Sequence, residues 1–410
     1  MINYLKKYKS LFLDFFLNII GFGIYIFSQQ ILLLPIVAKM VNDEIYSSIV
    51  LYISILNVVC NVTGGELGNV RLVMDSEYKK KNISGDFCKI LVLLYPIIII
   101  ILFPLFIYLN YSVLGTIFFI LTILMANVRL YSTCYYRLKK QFHKVILQNL
   151  CYLIGSIISL IVFKYLKNIY IFLFIPEIIS IVYALKNSDL IEMRLSKTIL
   201  IKSTIKKYSE LGIVSLLNNL MDYIDKFLVY PILGAFFVAV YYAVNSMSKI
   251  TNLITNPIAS VILSWISNIN NEKNIKDVIK VTLLINIPVI IIVAIITIPL
   301  TYVSLKILYS QYITEAMSLI ILISIISGVS TATSLTKSIL LKFSDTFKLL
   351  IVYIFYFVIF IILAYTLSKF KGLIGFTIAN LISRFILWII FIILLISLKN
   401  EKTEEKHEIL

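Results

Sequence analysis

Long apolar runs and short polar segments alternate along almost the whole chain of 410 residues. Each run has about the 20 residues that a helix needs to cross the hydrocarbon core of a bilayer. The run at 236–266 is longer, which predicts a helix that tilts or extends beyond the membrane. The pattern therefore predicts an all-α, polytopic membrane protein of about twelve transmembrane helices, at 11–38, 44–68, 87–110, 112–136, 145–165, 169–186, 210–233, 236–266, 278–305, 313–337, 347–368 and 373–398.

Lysine and arginine concentrate in alternate connections between these runs. The chain has 37 Lys and Arg against 21 Asp and Glu, a formal net charge of +16. Positively charged loops stay on the cytoplasmic side, so this bias predicts a multi-pass membrane protein with both termini in the cytoplasm. The bias also accounts for the net charge without a nucleic-acid partner. The longest polar connections, near 69–86 and 187–209, are too short for an extramembrane catalytic domain.

Ionisable side chains within or at the ends of the apolar runs are the first candidates for function, because charge in hydrocarbon is costly unless it faces a wet cavity or a partner. They include Arg71, Arg129, Asp222, Asp225, Lys226, Lys249, Lys337 and Arg384. Those near predicted cytoplasmic ends, Arg71, Arg129 and Lys337, could instead anchor a helix at the interface. Asp222 stands four residues before Lys226, a spacing that favours an ion pair on a helix.

The second apolar run ends in a glycine-rich stretch, which reads NVTGGELGNVR from Asn61 to Arg71. Its glycines permit close approach of another helix or local unwinding, which would free backbone groups to face a ligand. Glu66 within the stretch could pair with Arg71 or contact a substrate. The sequence leaves both roles open.

Two stretches of the chain carry a resemblance to a known family. Residues 225–243 contain DKFL, LG and YYA in that order, and residues 61–71 are the glycine-rich stretch. Both resemble helices of the Wzx-type polysaccharide-export flippases, which belong with the MATE exporters to the MOP superfamily. The resemblance implies a MATE-like fold of two six-helix bundles, with the first bundle and a cytoplasmic linker at 1–208, the second bundle at 209–398 and a charged cytoplasmic tail at 399–410.

The resemblance also implies a function. Such a flippase carries undecaprenyl-pyrophosphate-linked repeat units of a surface polysaccharide, for example O-antigen or capsule, across the membrane; it is not an enzyme and needs no cofactor. Lys or Arg lining a wet cleft would neutralise the pyrophosphate. The substrate-binding candidates are therefore Arg71, Arg129, Lys226, Lys249, Lys337 and Arg384. Membrane lipids, a polysaccharide polymerase and a chain-length regulator are the implied partners.

Other functions stay open. Asp222, Asp225 and Glu66 could form a proton- or sodium-coupling site, as in a cation-coupled MATE-like exporter of small molecules, or could only balance the charge of Lys226. A membrane glycan polymerase is disfavoured because the external connections are short. Basic residues at least equal the acids within the spans, which favours an anionic substrate. The four cysteines show no CxxC spacing and only two histidines are present, so no metal site is predicted.

Overall fold

The computed structural model describes residues 16–81, 86–109, 111–188, 197–248, 272–343 and 346–407. In these ranges the ordered backbone is helical and forms no β-strand. The predicted all-α class is confirmed.

Twelve helices can be followed through the described ranges, and we number them in chain order. They are α1 Phe16–Ala38, α2 Asp43–Lys81, α3 Asp86–Tyr108, α4 Val113–Leu138, α5 Phe142–Leu166, α6 Ile169–Asn187, α7 Ile201–Leu233, α8 Ala235–Ser248, α9 Glu272–Ile307, α10 Ile320–Phe343, α11 at 346–370 and α12 at 373–407. Short helical turns at Ser310–Leu319 precede α10. The predicted continuation of α8 to 266 lies outside the described residues.

Nine stretches of the described residues are long and apolar enough to cross a membrane. One of them, Phe347–Ser397, contains both α11 and α12, because the helix is broken at Lys371 and at Gly372, where φ is +54°. The predicted seventh and eighth spans, 210–233 and 236–266, are not among these nine stretches. Their described residues are helical, in α7 and α8, and α8 is described only to Ser248. These two helices are separated by Gly234, whose φ of +96° is a conformation that glycine adopts without a steric penalty.

Side-chain caps fix the start of two helices. Ser112 Oγ accepts a hydrogen bond from Gly115 N at 3.1 Å before α4. Asn168 Oδ1 accepts one from Tyr170 N at 2.9 Å before α6. Ser and Asn are favoured at this position because their oxygens satisfy the amides that a helix start leaves unpaired.

The glycine-rich stretch of α2 contains a π-helical turn at Asn61–Gly65. A Cβ atom on Gly64 would lie 2.2 Å from Asn127 Oδ1 and 2.4 Å from the Asn127 carbonyl oxygen of α4. Only glycine permits this close approach of α2 and α4, as is common between transmembrane helices. A second π-helical turn, Phe27–Leu33, lies in α1.

The chain divides into two compact units. Unit 1 comprises Met1–Val41 and Leu51–Tyr223, and its described part contains α1, most of α2, α3–α6 and the first part of α7. One core of this unit is built from apolar side chains of α2, α3 and α4, among them Leu67, Phe87 and Tyr131.

A buried carboxylate in unit 1 fastens the segment that leads into α7. Asp86, at the first position of α3, accepts hydrogen bonds from Tyr78 Oη at 2.7 Å and from Thr198 N at 2.8 Å. Tyr78 Oη also lies 2.7 Å from Thr204 Oγ1 of α7. The start of α7 is thereby held against α2 and α3.

Unit 2 comprises Asn42–Val50 and Ile224–Leu410, and its described part contains the rest of α7 and α8–α12. Buried tyrosines gather around its short first segment, where the rings of Tyr46 and Tyr242 lie 6.3 Å apart. Tyr312 donates from Oη to Asp43 Oδ1 at 2.7 Å. Helix α9 exposes much of its apolar surface, including Leu284 and Ile295, as expected of a helix that faces lipid.

Candidate functional site

Asp225 and Lys226 are adjacent residues of α7, and both side chains are buried. Lys226 Nζ lies 2.5 Å from Asp225 Oδ1, and the two side chains are 1% and 2% exposed. Asp225 Oδ2 accepts a hydrogen bond from Asn245 Nδ2 of α8 at 3.2 Å. The carboxylate therefore joins α7 to α8 as well as balancing the lysine.

Arg384 of α12 is buried beside neutral polar groups. Its Nε donates to Asn380 Oδ1 at 3.0 Å, and its guanidinium donates to Ser330 Oγ of α10 at 2.5 Å. Asn380 in turn donates from Nδ2 to Tyr241 Oη of α8 at 2.7 Å. Side chains of α8, α10 and α12 thus meet at this arginine.

These side chains form one group in unit 2, which we call the unit 2 cluster. Tyr241 and Asn245 stand four residues apart on α8, a spacing that puts both on one face of the helix. The cluster contains two buried cations and one buried carboxylate. Buried ions in an apolar helical protein are expensive and are candidates for a functional site. Its members are Asp225, Lys226, Tyr241, Asn245, Ser330, Asn380 and Arg384.

A second buried charge pair lies in unit 1. Arg129 of α4 donates from Nε to Glu177 Oε2 at 2.7 Å and from its guanidinium to Oε1 at 3.1 Å, the bidentate geometry that suits an arginine and a carboxylate. The guanidinium carbon lies 4.4 Å from the ring centroid of Tyr25 and 5.0 Å from that of Tyr152, within the range of cation–π attraction. The pair joins α1, α4, α5 and α6, and its charges cancel inside the unit.

Sequence reasoning did not select Glu177. The signal was present, because an acid follows Pro176 in the middle of the apolar run at 169–186. The sequence did not indicate which residue pairs with Glu177, because Arg129 lies 48 positions earlier.

Arg71 of α2 lies half-buried in an aromatic setting. It donates to Tyr135 Oη at 2.9 Å, and its guanidinium carbon lies 4.4 Å from the Tyr135 ring centroid and 5.3 Å from that of Phe87. Contacts with α3 and α4 therefore orient this side chain.

Glu66 belongs to a hydrogen-bonded row on α2 and α4. Its Oε2 accepts from Asn69 Nδ2 at 3.4 Å, and Asn69 Oδ1 accepts from Arg137 at 3.3 Å. The amide of Asn69 thus bridges an acid and a base, both half-buried.

Three predicted residues remain. Asp222 is exposed on α7, and Lys337 is half-buried on α10. Lys249 lies outside the described residues. In the part of the chain that the structure describes, no group of three or more His, Cys, Asp or Glu side chains could hold a metal ion.

Neither family models nor curated protein sequences match this chain. Solved structures do match. An inward-facing multidrug resistance MATE family transporter of the MOP superfamily has a TM-score of 0.67 at 15% identity, over 93% of this chain and 99% of that chain. An outward-facing MATE family transporter has a TM-score of 0.67 at 14% identity, over 96% of each chain. The lipid II flippase MurJ has a TM-score of 0.66 at 16% identity, over 95% of this chain and 86% of that chain.

The fold of this chain is therefore the one found in MATE transporters of the MOP superfamily and in a lipid flippase. Identities this low show the fold alone. Because the fold is shared by multidrug transporters and a flippase, the choice between these functions depends on the chemistry of the buried side chains.

Proposed function

We propose that this chain is a flippase for lipid-linked anionic glycans. Its substrate class would be undecaprenyl-pyrophosphate-linked repeat units of a surface polysaccharide such as O-antigen or capsule, moved across the plasma (inner) membrane. The observation that carries the proposal is the unit 2 cluster, where Lys226 and Arg384 are buried together with the carboxylate of Asp225.

The chemistry of the cluster suits a pyrophosphate. Arg384 is already oriented through Asn380 and Ser330, two neutral oxygens whose hydrogen bonds a phosphate oxygen can replace with stronger, charge-assisted ones. Lys226 supplies a compact positive charge, and Asp225 keeps that charge balanced when no substrate is bound. Lys249 is assigned the same phosphate-binding role from its position in the sequence.

The lipid tail would stay in the bilayer during transport, so only the polar head group needs a hydrated path. Alternation of basic and neutral loops places both termini in the cytoplasm under this proposal. Because the chain supplies the repeat unit to an assembly process, a polysaccharide polymerase and a chain-length regulator are the proposed partners.

The test is complementation of a deletion strain, with surface polysaccharide and lipid-linked intermediates as readouts. Wild type should restore polymer, whereas Lys226→Ala should leave single lipid-linked repeat units on the cytoplasmic side at normal membrane levels of the protein. Lys206→Ala, at an exposed position on the same helix, is the matched control and should behave as wild type. Normal polysaccharide in the deletion strain, together with new drug sensitivity, would overturn the proposal.

A second candidate is a cation-coupled exporter of small molecules, which the likeness to MATE transporters and the buried carboxylate of Asp225 favour. Under that function Asp225 would bind the coupling ion. Asp225→Asn would then abolish drug efflux, and polysaccharide would be unaffected by the deletion.

A further inference from the structure

Asn380 of α12 connects the buried arginine of unit 2 to a tyrosine of α8. Its Oδ1 accepts a hydrogen bond from Arg384 Nε at 3.0 Å, and its Nδ2 donates to Tyr241 Oη at 2.7 Å. All three side chains are buried, and all three belong to unit 2. We call these two hydrogen bonds, from Arg384 through Asn380 to Tyr241, the Tyr241 relay.

The chemistry of the two neighbours fixes the orientation of the Asn380 amide. A guanidinium group has donors and no acceptor, so the amide atom beside Arg384 must be the oxygen. The amide nitrogen then faces Tyr241, where the phenol oxygen accepts from it. If the amide turned over, its N–H groups would face the N–H of Arg384. Both residues would then lose an acceptor in a buried site, which is costly.

The Tyr241 hydroxyl is the group that selects this orientation. Asn380 and Arg384 are four residues apart on α12, so they face each other whichever way the amide is turned. Tyr241 comes from α8, and its ring packs edge-to-face on Phe376 with the centroids 5.5 Å apart. This packing holds the hydroxyl at a defined position beside the Asn380 nitrogen.

The orientation of the amide matters for phosphate binding because it constrains the guanidinium plane of Arg384. Asn380 accepts from Nε, and Ser330 Oγ of α10 accepts from Nη1, so two positions of the planar group are held by acceptors. Bidentate recognition of a phosphate by arginine depends on how the planar fork is presented. Loss of the oxygen at Nε would remove one of these two constraints.

We propose that Tyr241 is a positioning residue for the phosphate site. It acts through Asn380, which keeps the Arg384 fork in the orientation that binds two phosphate oxygens, and it does not itself contact the phosphate. This inference rests on the proposed function and deepens it, because it assigns a neutral side chain a role in the affinity for the pyrophosphate group.

Tyr241→Phe tests the inference, because it removes the hydroxyl and keeps the ring that packs on Phe376. The readouts are Tm and the affinity of the purified full chain in nanodiscs for undecaprenyl pyrophosphate. Affinity should fall at least about fivefold, the effect of one lost hydrogen bond. Tyr242→Phe is the matched control, because Tyr242 is the next residue of α8, is equally buried at 1% exposure and lies outside the unit 2 cluster. Its affinity should stay within about twofold of wild type.

Two further backgrounds separate positioning from stability. Arg384→Lys replaces the planar fork by a point charge that needs no such orientation, so adding Tyr241→Phe should change the remaining affinity less than about twofold. Asn380→Ala removes the amide through which Tyr241 acts, and the effect of Tyr241→Phe should be equally small there. A merely structural tyrosine would instead lower Tm and affinity to the same extent in every background.

Each other result has a distinct meaning. Wild-type affinity of Tyr241→Phe would overturn the inference and leave the proposed function intact. An undiminished loss on the Asn380→Ala background would also overturn it, because Tyr241 would then act by another route. Equal losses for Tyr241→Phe and Tyr242→Phe would do the same. Absence of undecaprenyl pyrophosphate binding by wild type would overturn the proposed function and the inference with it.

Discussion

The two units hold buried charge in different ways. In unit 1, Arg129 and Glu177 form a bidentate pair between aromatic rings, with hydrogen bonds of 2.7 and 3.1 Å. In unit 2, Lys226 makes its ion pair with the residue next to it in sequence, and Arg384 donates to an amide and a hydroxyl oxygen. Unit 1 therefore contains a bidentate pair between distant helices, and unit 2 contains a local ion pair and an arginine that donates to an amide and a hydroxyl oxygen.

The difference indicates a division between structure and function. A bidentate pair that joins four helices is costly to disturb, because removal of either partner leaves an isolated charge in a medium of low dielectric. A cation held by neutral hydrogen-bonding groups can exchange them for an anionic ligand at smaller cost. We therefore expect stability to depend most on unit 1 charges and transport to depend most on unit 2 charges.

The largest effect should come from Arg129→Met. The substitution leaves Glu177 buried and unpaired, and we expect a loss of about 3–5 kcal/mol in folding free energy, seen as low membrane levels and a lowered Tm in detergent. The double variant Arg129→Met with Glu177→Leu removes both charges and should recover most of that loss. A double variant as unstable as the single one would show that shape, rather than charge balance, matters at this position.

Gly64→Ala should have the next largest effect. The contact of Gly64 with Asn127 sets the approach of α2 to α4, two residues before Arg129, so a methyl group here must push the helices apart. We expect a loss of about 1–3 kcal/mol, measured as a lowered Tm. Gly212→Ala on α7 is the control, because a Cβ atom there would meet no atom within 4 Å. If both variants melt alike, the close approach does not contribute to stability.

Arg384→Gln should affect transport more than stability. Glutamine can still donate to Asn380 and Ser330, so the Tm should move less than for Arg129→Met. Under the proposed function, loss of the charge should lower the transport rate at least about tenfold, equivalent to about 1.4 kcal/mol. Arg384→Lys keeps a positive charge without the planar fork and should retain intermediate activity. A large drop in Tm with normal flipping per folded molecule would reverse the comparison between the units.

The smallest effect should come from Asn245→Ala. The variant removes the hydrogen bond to Asp225 and the one that Asn245 Oδ1 accepts from Ser248 Oγ, while Ser248 keeps its bond to the backbone carbonyl of residue 245. We expect a loss of about 1 kcal/mol in folding free energy. A double-mutant cycle with Asp225→Asn measures the coupling, since the effect of Asn245→Ala should shrink when the carboxylate is absent. Simple additivity of the two substitutions would indicate that Asn245 acts through other contacts.

Much of the fold could be predicted from the sequence. A helix needs about 20 apolar residues to cross the hydrocarbon core, and the connections between such helices are polar. The helix at 169–186 was recovered although Pro176 and Glu177 interrupt its apolar pattern. The exact helix ends were harder to predict: α2 continues to Lys81 and α7 begins at Ile201, because helices can extend into water where hydropathy gives no signal.

The site was only partly accessible to sequence reasoning. Lys226 and Arg384 could be selected from the sequence because they are charged residues inside predicted apolar runs. Their contact partners could not all be selected, because some of those partners lie on distant segments of the chain. The structure joins Arg129 to Glu177 and Arg384 to Ser330, and neither spacing follows a helical period. The adjacent pair Asp225–Lys226 was visible in the sequence because it is local.

The π-helical turn of α2 has a consequence for the rotational phase of that helix. An α-helix turns about 100° per residue, so eight residues would place Asn61 and Asn69 roughly 80° apart around the axis. A π-helix, with i→i+5 bonding, turns less per residue than an α-helix. Over Asn61–Gly65 the total rotation about the helix axis is therefore smaller by roughly a quarter turn than in an α-helix of the same length. Asn61 and Asn69 therefore come nearly into line along one side of α2. A substitution that returned 61–65 to α-helical bonding would carry Asn69 around to a neighbouring side of α2, and the contacts of Asn61 with Asn219 and of Asn69 with Arg137 could no longer be made at the same time.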